Sequence, residues 1–236
     1  LSIRRQRQMC IRDSFKFGLP ILKSAIKCKC HYFDICDDWE PTEEMLKLND
    51  EALKNDITAI VGLGASPGIS NLLGLKAMNE LDETESIITG WDVSSAKPED
   101  ESSQKGTNAA MEHGLQQISG EIKVYKDKKY KLTKPLEKIK IYYPGRGNHD
   151  AFIFGHPEAI TFPHHFNDLK ESVNACHGSK QSNIYIIKIL SWLVDKKLIS
   201  FKQGASLMEW LERKIGTPST VSYTHLRAHV TSLHLV

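Results

Sequence analysis

The stretch Thr58-Ala-Ile-Val-Gly62-Leu-Gly64-Ala-Ser66-Pro67-Gly68-Ile-Ser70-Asn71 constrains the fold more than any other part of this chain, because a short apolar strand runs into a glycine-rich turn that opens a helix. Glycines let the backbone bend sharply, Pro67 suits a first helical position, and Ser66 can cap the free amides of the first helical turn. Amides gathered at a helix start, with the positive end of its dipole, favour a phosphate, a carboxylate or a polarised carbonyl. The spacing is Gly-x-Gly-x-x-x-Gly, one residue longer than the dinucleotide-binding fingerprint, with Pro67 in place of the third glycine. An ordinary capped helix start has the same composition.

Helix and strand patterns alternate around this turn. Leu19 to Lys27 has apolar residues at helical spacing, His31 to Cys36 reads as a strand, and Pro41 to about Lys54 is helical with an acidic first turn. Ile57–Val61 is the next strand, and the helix after the turn runs to about Leu81, an order that argues for a parallel sheet covered by helices. The pattern changes near Glu83. Ser86–Trp91 is strand-like, Ser94–Lys105 has loop composition, Asn108–Ile118 is helical and Glu121–Leu132 is a hairpin. Lys138–Tyr143 and Ala159–Phe162 supply further strands, so this part reads as a hairpin-rich α+β unit. Two helices close the pattern, about Asn183–Lys197 and Phe201–Ile215, the second with Phe201, Ala205, Met208, Leu211 and Ile215 on one face.

At 236 residues the chain can bury one good core or two small ones. Residues 1–14 and about 220–236 match no neighbouring period and resemble translated sequencing adapters, so they are expected to be foreign tails. Setting aside Arg4, Arg5, Arg7, Arg12, Arg227 and Asp13 moves the formal charge from +2 to about −2, which leaves no basic footprint for nucleic acid. The five cysteines are odd in number and no secretory signal is found, which points to a reducing cytoplasm. The apolar run Ile184 to Val194, broken by Lys188 and Ser191, falls short of the roughly 18 residues that span a bilayer, and no membrane association is expected.

Four motifs, His31-Tyr-Phe-Asp-Ile, Asp38-Trp-Glu-Pro, Gly64-Ala-Ser-Pro-Gly-Ile-Ser-Asn71 and Gly155-His-Pro-Glu158, resemble in order and spacing the saccharopine dehydrogenase-like oxidoreductases. The likeness covers about residues 15–216, and Trp39-Glu40-Pro41 with Pro67-Gly68-Ile-Ser-Asn71 look somewhat closer to the carboxynorspermidine dehydrogenase branch. The resemblance implies an α/β fold: the C-terminal part of a Rossmann-like parallel sheet over 15–82, an inserted α+β substrate and dimerisation domain over 83–182, and a helical segment over 183–219 returning toward the first. It implies NADP or NAD as cofactor, a small amine or imine as substrate, and a homodimer when complete. It places Val61–Asn71 beside the nicotinamide and puts the phosphate fingerprint upstream of Phe15, so the chain is expected to be the interior of an enzyme, with the phosphate-binding part absent.

Reduction of an imine needs a proton donor or acceptor near the nitrogen and groups that hold the charged parts of the substrate. The cofactor-side candidates are Gly64, Ala65, Ser66, Pro67 and Gly68. Asp34, Asp37, Asp38 and Glu40 lie where a strand ends, the place where doubly wound sheets put ligands. Asp34, Glu40, Asn71 and Glu112 are the candidates for holding substrate, and Asp37, His156 and Glu158 for proton transfer. For each acidic residue a helix cap or a solvated face is the plain alternative. No metal is expected, because Cys28, Cys30 and Cys36 have poor zinc spacing, and neither His156–His165 nor the His225/His229 pair gathers a ligand set. A further reading treats Gly62–Gly68 as a true phosphate loop with Asp92 as the ribose acid, against the spacing and Pro67.

Overall fold

The computed structural model of the protein describes residues 11–92, 109–143, 145, 147–177 and 181–215. Its first layer begins with helix α1 (Ile11–Lys27), which takes in the last four residues of the expected N-terminal tail. Leu22 and Ile26, one helical turn apart, are each 1% exposed. The short strands β1 (Tyr32–Phe33) and β2 (Ala59–Ile60) pair in parallel, with helices α2 (Trp39–Leu46) and α3 (Asn49–Lys54) between them. Leu22, Ile26, Tyr32, Cys36, Met45 and Ile57 form the core of this layer. The strand expected over His31–Cys36 stops at Phe33, because the Asp34 side chain accepts the amides of Cys36 and Gly62 where a longer ladder would run. Helix α4 (Ile69–Asn79) follows the glycine turn.

The second layer is a six-stranded mixed sheet built on β8 (Glu171–His177). Strand β3 (Ser86–Asp92) pairs with β8 in parallel along its whole length. The other edge of β8 is shared: β4 (Ile122–Lys126) pairs antiparallel at its start, and β7 (Gly147–Ile153) pairs antiparallel near its end. β5 (Lys129–Thr133) and β6 (Lys138–Tyr143) extend the sheet outward by antiparallel pairing. The fold is therefore mixed α/β, with a small parallel and a larger mainly antiparallel sheet. In the β4–β5 hairpin, Asp127 and Lys128 both have positive φ, the backbone a two-residue turn needs to match strand twist.

One expectation is corrected. Ala159–Phe162 is not a strand; it lies in helix α6 (Glu158–His165), where Pro157 occupies the N-cap and Glu158 meets the positive end of the helix dipole. A four-residue apolar run fits either state, and packing decides: Ala159, Ile160 and Phe162 are buried. The terminal helices α7 (Gln181–Asp195) and α8 (Phe201–Ile215) pack chiefly on each other and on helix α5 (Ala109–Gln117), with Leu115, Phe152, Phe154, Leu190 and Val194 as a shared core. Phe201 of α8 also lines a cavity shared with Phe15 and Trp39 of the first layer. The pair His225/His229 and the C-terminal tail lie outside the described residues. No helix among the described residues is long and apolar enough to cross a membrane.

Candidate functional site

The glycine turn meets the larger sheet through its side chains. At the N-cap of α4, Gly68 adopts φ +115°, and a Cβ there would lie 2.2 Å from the Gly64 carbonyl, so only glycine closes the turn. Within it the Gly64 amide donates to the Pro67 carbonyl at 3.0 Å, and the Gly68 amide donates to Asn71 Oδ1 at 3.0 Å. These two amides serve the turn itself. Ser66 does not cap α4 and Pro67 precedes the N-cap instead of following it. The Ser66 hydroxyl leaves the helix and donates to Glu158 Oε1 at 2.5 Å.

Glu158 is fully buried. Its Oε1 also accepts the Ser70 hydroxyl at 2.6 Å, while Oε2 is buried with no hydrogen-bond partner. Ser66 Oγ lies 3.2 Å from His156 Nδ1. Because that hydroxyl gives its proton to Glu158, it accepts from Nδ1–H, and the neutral imidazole keeps its lone pair on Nε2. The ring is held by Trp91, stacked at 5.5 Å and 8°, and by Phe154 edge-on at 5.0 Å. Burial lowers the His156 pKa, against the opposing pull of Glu158 and Asp37. Asn174 on β8 ties this ring of groups to the sheet: it donates to Thr89 Oγ1 at 2.9 Å and accepts the Trp91 indole N–H at 3.2 Å.

A second cluster adjoins the first. His113 Nε2, on α5, lies 3.2 Å from Asp37 Oδ1 and 3.7 Å from Asp38 Oδ1. Gln117 Nε2 donates to the Asp37 carbonyl at 3.1 Å. Burial pushes the Asp38 carboxyl up to about 6 in spite of His113. For Asp37, burial is the largest single influence and acts upward, but His113 and His156 together with the backbone outweigh it and the pKa is lowered. The two clusters act on one another, since the charge of His156 favours ionised Asp37 and that of Asp37 favours protonated His156. Asp37, His113, His156 and Glu158 are thus coupled by charge into one acid–base wall.

Other expected site residues stand apart from that wall. Asp34 is a brace: Oδ1 accepts the amides of Gly62 at 2.7 Å and Cys36 at 3.0 Å, and Oδ2 accepts the Tyr32 hydroxyl at 2.6 Å. Three of its acceptor positions are thus used inside the protein. Asn71 is a clip, reaching from the Gly68 amide to Thr161 Oγ1 at 3.0 Å on α6. Glu40 is exposed, Ala65 is exposed on the turn, and Glu112 is half-buried one residue before His113. Asp92 ends β3 in register with His177. His113, Gln117, Ser70, Trp91 and Asn174 were not singled out from the sequence. His113 stands 76 residues from Asp37, and only the packing of α5 brings them together.

No protein-family profile matches the sequence, and no curated protein matches it significantly. Among solved structures it is similar to apo histidine-tagged saccharopine dehydrogenase (L-Glu forming) from Saccharomyces cerevisiae, at 19% identity and a TM-score of 0.46. The likeness concerns the fold. It covers 75% of this chain and 41% of that one, so this chain spans less than half of that protein's length. Nothing in these comparisons points to the carboxynorspermidine branch.

Proposed function

We propose that this chain forms the substrate side of an NAD(P)-dependent oxidoreductase acting on a secondary amine, or its imine, derived from an amino acid or a polyamine. The observation that carries the reading is Glu158, a fully buried carboxylate whose Oε2 has no partner beside a neutral imidazole. A buried carboxylate oxygen without a donor is costly, and a cationic amine would satisfy it with a charge-assisted hydrogen bond. His156 offers Nε2 to take or return the amine proton, and the Ser66 hydroxyl connects its Nδ1 to Glu158. Ionised Asp37 favours the protonated imidazole that such a transfer creates. Trp91 and Phe154 fix the ring plane, so the proton is presented in one direction.

The turn does not fit the phosphates of a dinucleotide, because the Gly64 and Gly68 amides are engaged inside it. The same observation favours a second reading, a noncatalytic binding or dimerisation module. NADPH absorbance separates the two. With the complete reading frame that contains this chain, the first reading expects turnover with a matched amine and carbonyl pair. Absence of turnover across amino-acid-derived and polyamine-derived pairs overturns it.

A further inference from the structure

Asp38 occupies the N-cap of α2 with extended backbone angles, φ −97° and ψ 134°, yet its side chain makes no capping hydrogen bond. An N-cap aspartate ordinarily turns its carboxylate onto the first amides of its helix. This one points inward: the residue is 5% exposed and its Oδ2 is buried with no partner. Its Oδ1 lies 3.5 Å from Gln117 Nε2 and 3.7 Å from His113 Nε2. The neighbouring Asp37 Oδ1 approaches the same His113 nitrogen at 3.2 Å. Two carboxylates therefore converge on one imidazole nitrogen, which can carry a single proton and satisfy one of them well.

A divalent cation resolves the arrangement. One ligand atom from each of Asp37, Asp38 and His113 lies within 4.8 Å of the others. Zinc bonds to nitrogen and oxygen are roughly 2.0–2.2 Å long, so tetrahedral ligand atoms stand about 3.3–3.6 Å apart, and the two distances from His113 bracket that spacing. Two carboxylates balance a +2 charge, and oxygen with imidazole nitrogen is a donor set suited to zinc-like ions. Access exists as well. A cavity of ≈ 230 Å³ is walled by Asp38, Trp39, Glu40 and Gln117, and the Asp37 side chain is 25% exposed.

We propose that Asp37, Asp38 and His113 bind a divalent transition-metal ion of the zinc type, with the remaining position open to water. The site does not depend on the preceding reading, because it can be measured without turnover. The test is calorimetric titration of the chelator-treated full chain with zinc chloride at neutral pH, repeated on His113→Gln, Asp38→Asn and Asp37→Asn, with circular dichroism confirming the fold of each. One zinc per chain is expected, weakened at least tenfold in each folded variant. If the two buried positions do not tolerate change, the partly exposed Asp37 decides the matter. Absence of zinc binding in the wild-type chain, or equal binding in Asp37→Asn and any other folded variant, overturns the site, the latter by placing the ion on other side chains.

Discussion

The two layers treat their polar and apolar groups in opposite ways. Where the glycine turn meets the larger sheet, Ser66, Ser70, Asn71, His156, Glu158, Thr161 and Asn174 are joined in hydrogen bonds, and Glu158, Ser172 and Asn174 are each no more than 1% exposed. In the first layer, two parallel strands of two residues each leave Phe33 57%, Ile60 39% and Leu63 54% exposed. A parallel sheet is ordinarily covered on both faces, so this layer is the less self-sufficient of the two. The contrast shows which part can hold a side chain in a fixed place. The acid–base wall takes His156 and Glu158 from the stretch between β7 and α6, and the turn is fastened to that stretch by Ser66 and to α6 by Asn71.

Substitutions sharpen that contrast. Glu158→Ala has the largest expected effect on stability, about 2–4 kcal/mol in urea unfolding, because it strands the Ser66 and Ser70 donors and leaves a cavity. Gly74→Ala comes next. A Cβ at Gly74 would lie 2.4 Å from Phe162 Cζ and 3.0 Å from Ile87 Cδ1, so α4 must move off α6 and β3, at about 1–3 kcal/mol in the same assay. Phe33→Ser, on the open layer, is expected to change stability by no more than ~0.5 kcal/mol. A cost as large as that at Gly74 would mean that the layer is covered in solution and would break the comparison.

The buried imidazole adds a pH dependence of definite sign. His156 has its pKa lowered from 6.5 by burial, so the unfolded chain takes up a proton at a higher pH than the folded one. The stability this residue contributes is present above pH 6.5 and is lost as the pH falls below it toward the lower folded value. Unfolding curves of the wild type and His156→Gln should therefore converge as the pH is lowered from 7.5. A gap that widens on acidification would show that the ring is charged in the folded protein.

Much of this was legible in the sequence where a single period ran through a whole element. The helices around Leu22 and Met208, the β4–β5 hairpin and the strand entering the glycine turn all follow from local spacing. β8 was not read as a strand, although it is the strand on which the sheet is built. It is buried on both faces, so the polar Ser172 and Asn174 that interleave with Val173 and Ala175 serve inside the fold and mark no solvent face. The motif points to His156 and Glu158, but not to the helix that Glu158 starts or to Ser66, which bridges the two. Sequence does not reveal that Asp34 braces the turn through Gly62, Cys36 and Tyr32. His113 carries no local pattern at all, since its meaning comes from residues far away in the chain.

The central claim is that Glu158 holds a cationic amine beside the His156 imidazole. Its most direct test is kcat/KM for NAD(P)H-dependent reduction of an amine and carbonyl pair by the complete protein, wild type against Glu158→Gln, which keeps the shape and removes the charge. The account expects a loss of about 10- to 100-fold, the worth of one charge-assisted hydrogen bond. Equal kcat/KM in a folded Glu158→Gln protein would contradict it.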